Sequence, residues 1–132
     1  MARLLLVEDD ADVRDLITMR MVMVGHRVMA MPDALGALEA VEYLGAPDAY
    51  VLDVALPDLD GFDLLDRLRQ TTTADVPAIF LTAYGQESNV RRGEELGAAA
   101  YLVKPFVAQR LIDAVDEALV GRPRQDHSGH AW

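Results

Sequence analysis

Short apolar runs alternate along this chain with longer segments in which apolar residues recur at helical spacing. Five runs are predicted to be strands, and four of them are nearly continuous in apolar residues, as expected of strands buried on both faces of a sheet. The predicted strands are residues 4–7, 27–30, 49–53, 78–82 and 100–103. The run 27–30 is the weakest and is expected nearer an edge.

The segments between and after these strands predict five helices. One face of the first helix is predicted from the spacing of Val13, Leu16, Ile17, Met21 and Val24. The other helices are expected at about residues 33–44, 62–68, 87–96 and 107–119. Regular alternation of strand and helix predicts a doubly wound α/β fold, with helices on both faces of a parallel sheet. Ligands bind such folds at the carboxyl ends of the strands.

Composition and charge narrow the functional classes. The chain has 132 residues, of which 52% are hydrophobic, enough for one buried core. Its formal net charge of −10 argues against direct binding of nucleic acid or an anionic membrane, because their phosphates would repel it. Cysteine is absent, which excludes disulfides and thiol catalysis. With neither a membrane span nor a signal peptide in the sequence, we expect a cytoplasmic protein.

The predicted strand ends carry a set of chemically distinctive side chains. They are Glu8 and Asp9 after the first strand, Asp53 in the third, Thr82 in the fourth and Lys104 after the fifth. Clustered carboxylates repel one another unless a cation is present, and oxygen ligands suit Mg²⁺. Lys104 is the only lysine in the chain. Its ammonium and one Mg²⁺ would balance three carboxylates and make the pocket acceptable to a phosphoryl group.

Four sequence motifs contain or adjoin these residues. They are VEDD at 7–10, DVALPDLDG at 53–61, TA at 82–83 and YLVKPF at 101–106. In this order and spacing, they resemble the receiver domain of bacterial two-component response regulators over about residues 2–120. The resemblance implies a flavodoxin-like (CheY-like) sheet of five parallel strands in the order 2-1-3-4-5, with five helices. It also implies a cis peptide bond before Pro105.

The same resemblance implies a role for each residue of the site. Asp53 would accept a phosphoryl group from a phosphohistidine, and Lys104 would pair with a phosphoryl oxygen. Thr82 would hydrogen-bond another phosphoryl oxygen, and Tyr101 would swing inward as Thr82 moves. The implied Mg²⁺ ligands are Glu8 through water, Asp9, Asp53 and the backbone carbonyl of Ala55.

As a receiver, the chain would be a phosphoacceptor that assists its own phosphorylation and dephosphorylation, and not an enzyme acting on other substrates. Its partners would be a histidine kinase or histidine phosphotransfer protein and a downstream protein that recognises helix 4, strand 5 and helix 5. A phosphorylation-dependent homodimer stays open. Winged-helix regulators often carry acidic residues of a dimer face at the positions held here by Ala99 and Ala100. A dimer of that charged type is therefore less favoured.

The receiver domain is expected over residues 1–121, followed by a polar, disordered tail over 122–132. Three alternatives stay open: a scaffold independent of phosphorylation, a receiver fragment of a longer regulator, and an aspartyl-phosphate phosphatase. The phosphatase is disfavoured because Ala55 stands two residues after Asp53, where such enzymes usually carry a second aspartate.

Two further groups of residues lie outside the predicted site. The first helix carries surplus apolar residues beside its core face, and these are candidates for docking a kinase: Met19, Val22 and Met23. Three acids that follow the acceptor are expected to be solvated loop and helix-start residues: Asp58, Asp60 and Asp63. Asp10 is expected at the start of the first helix.

Overall fold

The chain forms a single parallel sheet with helices on both faces, as seen in a computed structural model that describes residues 2–72, 75–83 and 87–122. The strands are β1 (Arg3–Val7), β2 (Arg27–Met31), β3 (Ala49–Asp53), β4 (Ala78–Ala83) and β5 (Ala100–Lys104). The helices are α1 (Ala11–Met23), α2 (Ala34–Leu44), α3 (Gly61–Thr71), α4 (Glu87–Glu95) and α5 (Ala108–Leu119). The strand order β2-β1-β3-β4-β5 confirms the predicted fold.

The core has two halves, one on each face of the sheet. Successive side chains of a strand point to opposite faces, so Leu4 and Leu6 of β1 pack with α1 and α5, whereas Leu5 and Val7 pack with α2 and α3. The central strand β3 is buried along its whole length. This burial on both faces explains the continuous apolar runs in the sequence.

Fewer residues of α1 are buried than the sequence predicts. Ile17 and Met21 are buried, but Leu16 is 53% exposed and Val24 is 49% exposed. Leu16 is turned about 100° around the helix axis from Ile17, which carries it away from the sheet. Val24 lies past the last turn, as the C-terminal cap of the helix. The exposed apolar surface of α1 is therefore larger than the sequence suggests.

Aspartates begin the first three helices. Asp10 caps α1, Asp33 caps α2 and Asp60 caps α3, each by accepting a hydrogen bond from a backbone N–H in the first turn. The position of Asp10 is as expected. The Lys104–Pro105 peptide bond is cis, which is also as expected.

Asp58 is an exposed loop acid, as expected, and it also accepts hydrogen bonds from the start of α2. Its Oδ1 accepts a hydrogen bond from the Ala34 N–H at 3.0 Å, and its Oδ2 accepts one from the Leu35 N–H at 2.9 Å. These bonds lower the pKa of Asp58, because they favour the ionised carboxylate. The loop after β3 is thereby tied to the start of α2, a contact between residues far apart in the sequence.

The tail expected over 122–132 lies, apart from Arg122, outside the described residues. Within the described ranges, none of the helices is long and apolar enough to span a membrane.

Replacing Asp58 with alanine is expected to lower the free energy of unfolding by about 1 kcal/mol at neutral pH, because two N–H groups in the first turn of α2 lose an acceptor, as they do when a capping side chain is removed. Because the native state lowers this pKa, the stabilisation is complete above the unfolded-state value and is lost as pH falls through the folded-state value. Urea denaturation from pH 7 down to about pH 3, below the ordinary aspartate value, measures the difference. Asp15→Ala, an exposed acid on α1, is the control; a difference for Asp58→Ala that does not change with pH would contradict the assignment.

Candidate functional site

Three carboxylates meet at the carboxyl ends of the adjacent strands β1 and β3. Glu8, Asp9 and Asp53 each offer an oxygen, and these oxygens lie within 4.8 Å of one another. Glu8 is fully buried and Asp53 is 4% exposed, whereas Asp9 is exposed. Three acidic oxygen donors so close together, one of them open to solvent, fit a hard divalent cation such as Mg²⁺.

Lys104, the last residue of β5, reaches into this cluster. Its Nζ donates to Asp53 Oδ2 at 3.0 Å and also to Glu8 Oε1. Burial opposes the charge of the ammonium, but its hydrogen bonds to Glu8 and Asp53 prevail and raise the pKa of Lys104. One positive charge against three carboxylates leaves the site net negative, which again suits a divalent cation.

Glu8 has little freedom left for direct metal binding. Its Oε1 accepts from Lys104, and its Oε2 accepts from the Asp10 N–H at 3.4 Å. Burial and the nearby Asp53 together raise the pKa of Glu8 to about 7, against the opposing effect of Lys104. These contacts are compatible with the expected role of Glu8 through water.

The backbone after β3 orients the remaining oxygen of Asp53. The Ala55 N–H donates to Asp53 Oδ1 at 3.1 Å, so both carboxylate oxygens of Asp53 are held. Ala55 itself is exposed. Thr82 is 2% exposed and follows Leu81, the residue that pairs with Asp53 across β3 and β4. The strand-end residues predicted from sequence therefore lie at one edge of the sheet.

Tyr101 lies near the start of β5, three residues before Lys104, and contacts α4. Its ring is half-buried, 6.4 Å from the ring of Phe80. Gly93 of α4 is buried against it, because a Cβ at Gly93 would lie only 3.1 Å from Tyr101 Cδ2. A side chain at Gly93 would therefore displace either the tyrosine or the helix.

Gly61 is a site residue that sequence reasoning missed, since it read as an ordinary turn. A Cβ at Gly61 would lie 2.4 Å from the backbone oxygen of Asp53 and 3.0 Å from Val54 Cα. The Gly61 N–H also donates to the Val54 oxygen at 2.9 Å. The start of α3 thus packs directly on the backbone of Asp53, and the DG pair at 60–61 was the available signal.

Asp60 and Asp63 lie at the start of α3, as expected, and both also bind Arg92. Arg92 of α4 donates to Asp60 Oδ2 at 3.3 Å and also to Asp63 Oδ1, and its guanidinium lies 5.1 Å from the centre of the Phe62 ring. Burial lowers the pKa of Arg92, but the contacts with the two aspartates outweigh burial and raise it overall. The cluster joins the start of α3 to α4. The sequence alone does not predict this contact, because Arg92 lies 32 residues from Asp60 and 29 from Asp63.

Arg14 of α1 is another contact that the sequence does not reveal. Its guanidinium donates to the backbone oxygens of Glu8 and Asp9 at 2.9 and 3.5 Å. An arginine in the second turn of an amphipathic helix ordinarily reads as a surface charge, so no local signal distinguished it.

The sequence matches the profile of a known family, described as response regulator receiver domain, over residues 4–116. The chain belongs to this family. It is 38% identical over 117 residues to the DNA-binding dual master transcriptional regulator RpaA of Synechocystis, covering 87% of this chain and 48% of RpaA. It is 37% identical over 131 residues to the transcriptional regulatory protein AfsQ1 of Streptomyces coelicolor, covering 99% of this chain and 56% of AfsQ1. The chain is therefore a receiver domain of the kind found in response regulators.

Solved receiver structures have the same fold. A CheY-like response regulator receiver domain protein from Methanospirillum hungatei superposes with a TM-score of 0.81 at 26% identity, over 90% of this chain and 94% of that one. A receiver domain protein from Clostridium thermocellum gives 0.82 at 27% identity, with the same coverage. The chain spans about half the length of RpaA and AfsQ1.

Replacing Gly61 with alanine is expected to destabilise the fold by about 1–3 kcal/mol, the usual cost of overpacking. The added methyl would press on the backbone of Asp53, so Asp53 amide shifts should also change. Urea denaturation and backbone NMR measure both effects. Gln70→Ala, at an exposed position of the same helix, is the control, and equal stability of the two variants would contradict the close approach.

Proposed function

We propose that Asp53 is the phosphoacceptor of a phosphorylation-controlled response regulator in a two-component phosphorelay. The supporting observation is a buried carboxylate whose two oxygens are oriented separately, one by Lys104 and one by the Ala55 N–H. An Asp53 oxygen would attack the phosphorus of a phosphohistidine, forming a P–O bond as the P–N bond breaks. The partner's imidazole leaves neutral after taking a proton. Phosphoryl transfer needs chiefly positioning and charge neutralisation.

Mg²⁺ would be held by Asp9, Asp53 and the Ala55 carbonyl, with Glu8 acting through water, and would neutralise charge on the transferred group. Lys104 would pair with a phosphoryl oxygen, exchanging its present bond to Asp53. The same groups would assist hydrolysis of the aspartyl phosphate. The chain is thus a phosphoacceptor that assists its own chemistry, and not an enzyme with a separate substrate.

Thr82 and Tyr101 would transmit the effect of phosphorylation away from Asp53. Thr82 would hydrogen-bond a phosphoryl oxygen, and Tyr101 would move inward behind it. Tyr101 lies against Gly93, so its movement would alter the face formed by α4, β5 and α5. This face would bind the downstream protein; a phosphorylation-dependent homodimer stays an alternative.

The phosphodonor would dock on an apolar groove beside the site. The groove has a volume of about 470 Å³ and lies between α1 and the start of α5, where its lining includes Leu16, Phe106 and Lys104. Leu16 and Met19 are each 53% exposed and Met23 is 72% exposed. A helix of a histidine kinase or histidine phosphotransfer protein laid there would bring its phosphohistidine towards Asp53.

The receiver would occupy residues 1–121, and residues 122–132 would be a polar tail. Its span of about half of RpaA and AfsQ1 also supports the alternative of a receiver fragment from a longer regulator. A cytoplasmic location is proposed because a receiver meets its phosphodonor there. Direct nucleic-acid binding and membrane binding by this chain are not proposed, given its charge of −10.

Acetyl phosphate with Mg²⁺ is expected to add one phosphoryl group to the native chain, detected by intact mass. Asp53→Asn should abolish the label, and Asp63→Asn, which alters an acid outside the pocket, should keep it. Chelation of Mg²⁺ should also abolish labelling. A label that persists in Asp53→Asn would remove the acceptor assignment, and no label on the native chain would favour the phosphorylation-independent scaffold.

The double variant Leu16→Gln, Met19→Gln is expected to slow phosphoryl transfer from a phosphorylated histidine phosphotransfer domain, because it makes the docking groove and the adjoining surface of α1 polar. Labelling by acetyl phosphate should be unchanged, since that donor needs no docking surface. Leu35→Gln, at an exposed leucine of α2, is the control. Equal slowing with both donors would reject the groove as the docking site.

A further inference from the structure

The turn that carries the acid pair is held from α1 by one arginine. Arg14 is half-buried in the second turn of α1. Its Nη1 donates to the Glu8 oxygen at 2.9 Å and makes a longer bond of 3.5 Å to the Asp9 oxygen. Both carbonyls belong to the turn between β1 and α1, so one side chain holds consecutive peptide groups of that turn.

The two acids of the turn differ in how their side chains are held. The Glu8 carboxylate is held by Lys104 and by the Asp10 N–H, and the Glu8 N–H donates to the Met31 oxygen at 3.0 Å. For the Asp9 carboxylate, the described part of the chain provides neither a hydrogen bond nor an ion pair. The direction of Asp9 therefore depends on its backbone, and Arg14 is the side chain that bonds to that backbone.

We propose that Arg14 is a positioning residue that directs the Asp9 carboxylate towards the metal position beside Asp53. This inference rests on the proposed function of the site. Groups that orient metal ligands contribute to affinity without touching the metal. Arg14 also adds a positive charge near the site, and by Coulomb's law that charge alone opposes binding of a cation.

The two effects of Arg14 have opposite signs, and this makes the inference testable. Loss of the charge alone would tighten Mg²⁺ binding, whereas loss of positioning would weaken it. Arg14→Met removes the charge and the donors while keeping a long apolar side chain. Arg110→Met is the matched control, since Arg110 is an exposed arginine in the first turn of α5.

The measurement is an NMR titration of the full chain with Mg²⁺, following backbone amide shifts. We expect the Kd of Arg14→Met for Mg²⁺ to rise about tenfold, the lower end of the effects seen for groups that orient metal ligands. Arg110→Met should bind as tightly as the native chain or slightly more tightly. Acetyl phosphate labelling of Arg14→Met should be slow at low Mg²⁺ and return to the native rate at saturating Mg²⁺.

Three results would overturn the inference. Native or tighter Mg²⁺ binding by Arg14→Met would leave Arg14 with only an electrostatic or structural role. A raised KM for acetyl phosphate at saturating Mg²⁺ would mean that Arg14 contacts the phosphodonor instead. If Arg14→Met does not fold, Arg14→Gln, which also removes the charge and is too short to reach both carbonyls, is compared in its place, and native or tighter Mg²⁺ binding by that variant would overturn the inference.

Failure of the proposed function looks different from failure of this inference. If the native chain shows no Mg²⁺-dependent shift at Asp9 or Asp53, the metal site itself is wrong. If the native chain binds Mg²⁺ and only the weakening in Arg14→Met is missing, the site stands and Arg14 has no part in positioning it.

Discussion

Two carboxylates are buried at one edge of the sheet because one ammonium lies between them. Removing Glu8 and Asp53 from water costs several kcal/mol per charge unless opposite charge and hydrogen bonds replace the lost hydration. Lys104 bonds to both acids, and backbone N–H groups bond to the oxygens that remain. This compensation is incomplete, because Asp9 adds a third negative charge. The remaining negative charge makes the pocket suitable for a divalent cation.

The fold supplies this arrangement through the loops that follow the strands. Parallel strands bring their carboxyl ends to one edge, but the side chains converge only if the loops are fixed. Gly61 allows α3 to approach the backbone of Asp53, Asp58 ties the loop after β3 to α2, and Arg14 bonds to the turn after β1. Each is a backbone contact, which explains how small, exposed or surface-like residues matter to a buried site.

Most of the fold could be predicted from the sequence, because the spacing of apolar residues reflects which faces of each strand and helix are buried. Continuous apolar runs indicated strands covered on both faces, and the position of binding sites at the carboxyl ends of parallel strands singled out Glu8, Asp53 and Lys104. The prediction was wrong where orientation within an element decides burial, as for Leu16. It also missed contacts between elements distant in the sequence, such as Arg92 with Asp60, because composition and spacing carry no record of which loop faces which helix.

The contacts around the start of α3 also connect Asp53 to α4 and to Tyr101 of β5. Gly61 lies on the backbone of Asp53, the neighbouring Asp60 bonds to Arg92 of α4, and the next residue of α4, Gly93, packs on Tyr101. A chain of contacts does not by itself establish energetic coupling; an element with two arrangements is also needed. In α4, the ion pairs of Arg92 are about two-fifths exposed and contribute little, and an internal glycine weakens the helix. Among the elements in this chain of contacts, α4 is therefore the one held most weakly, and a change in charge at Asp53 can move it at least cost.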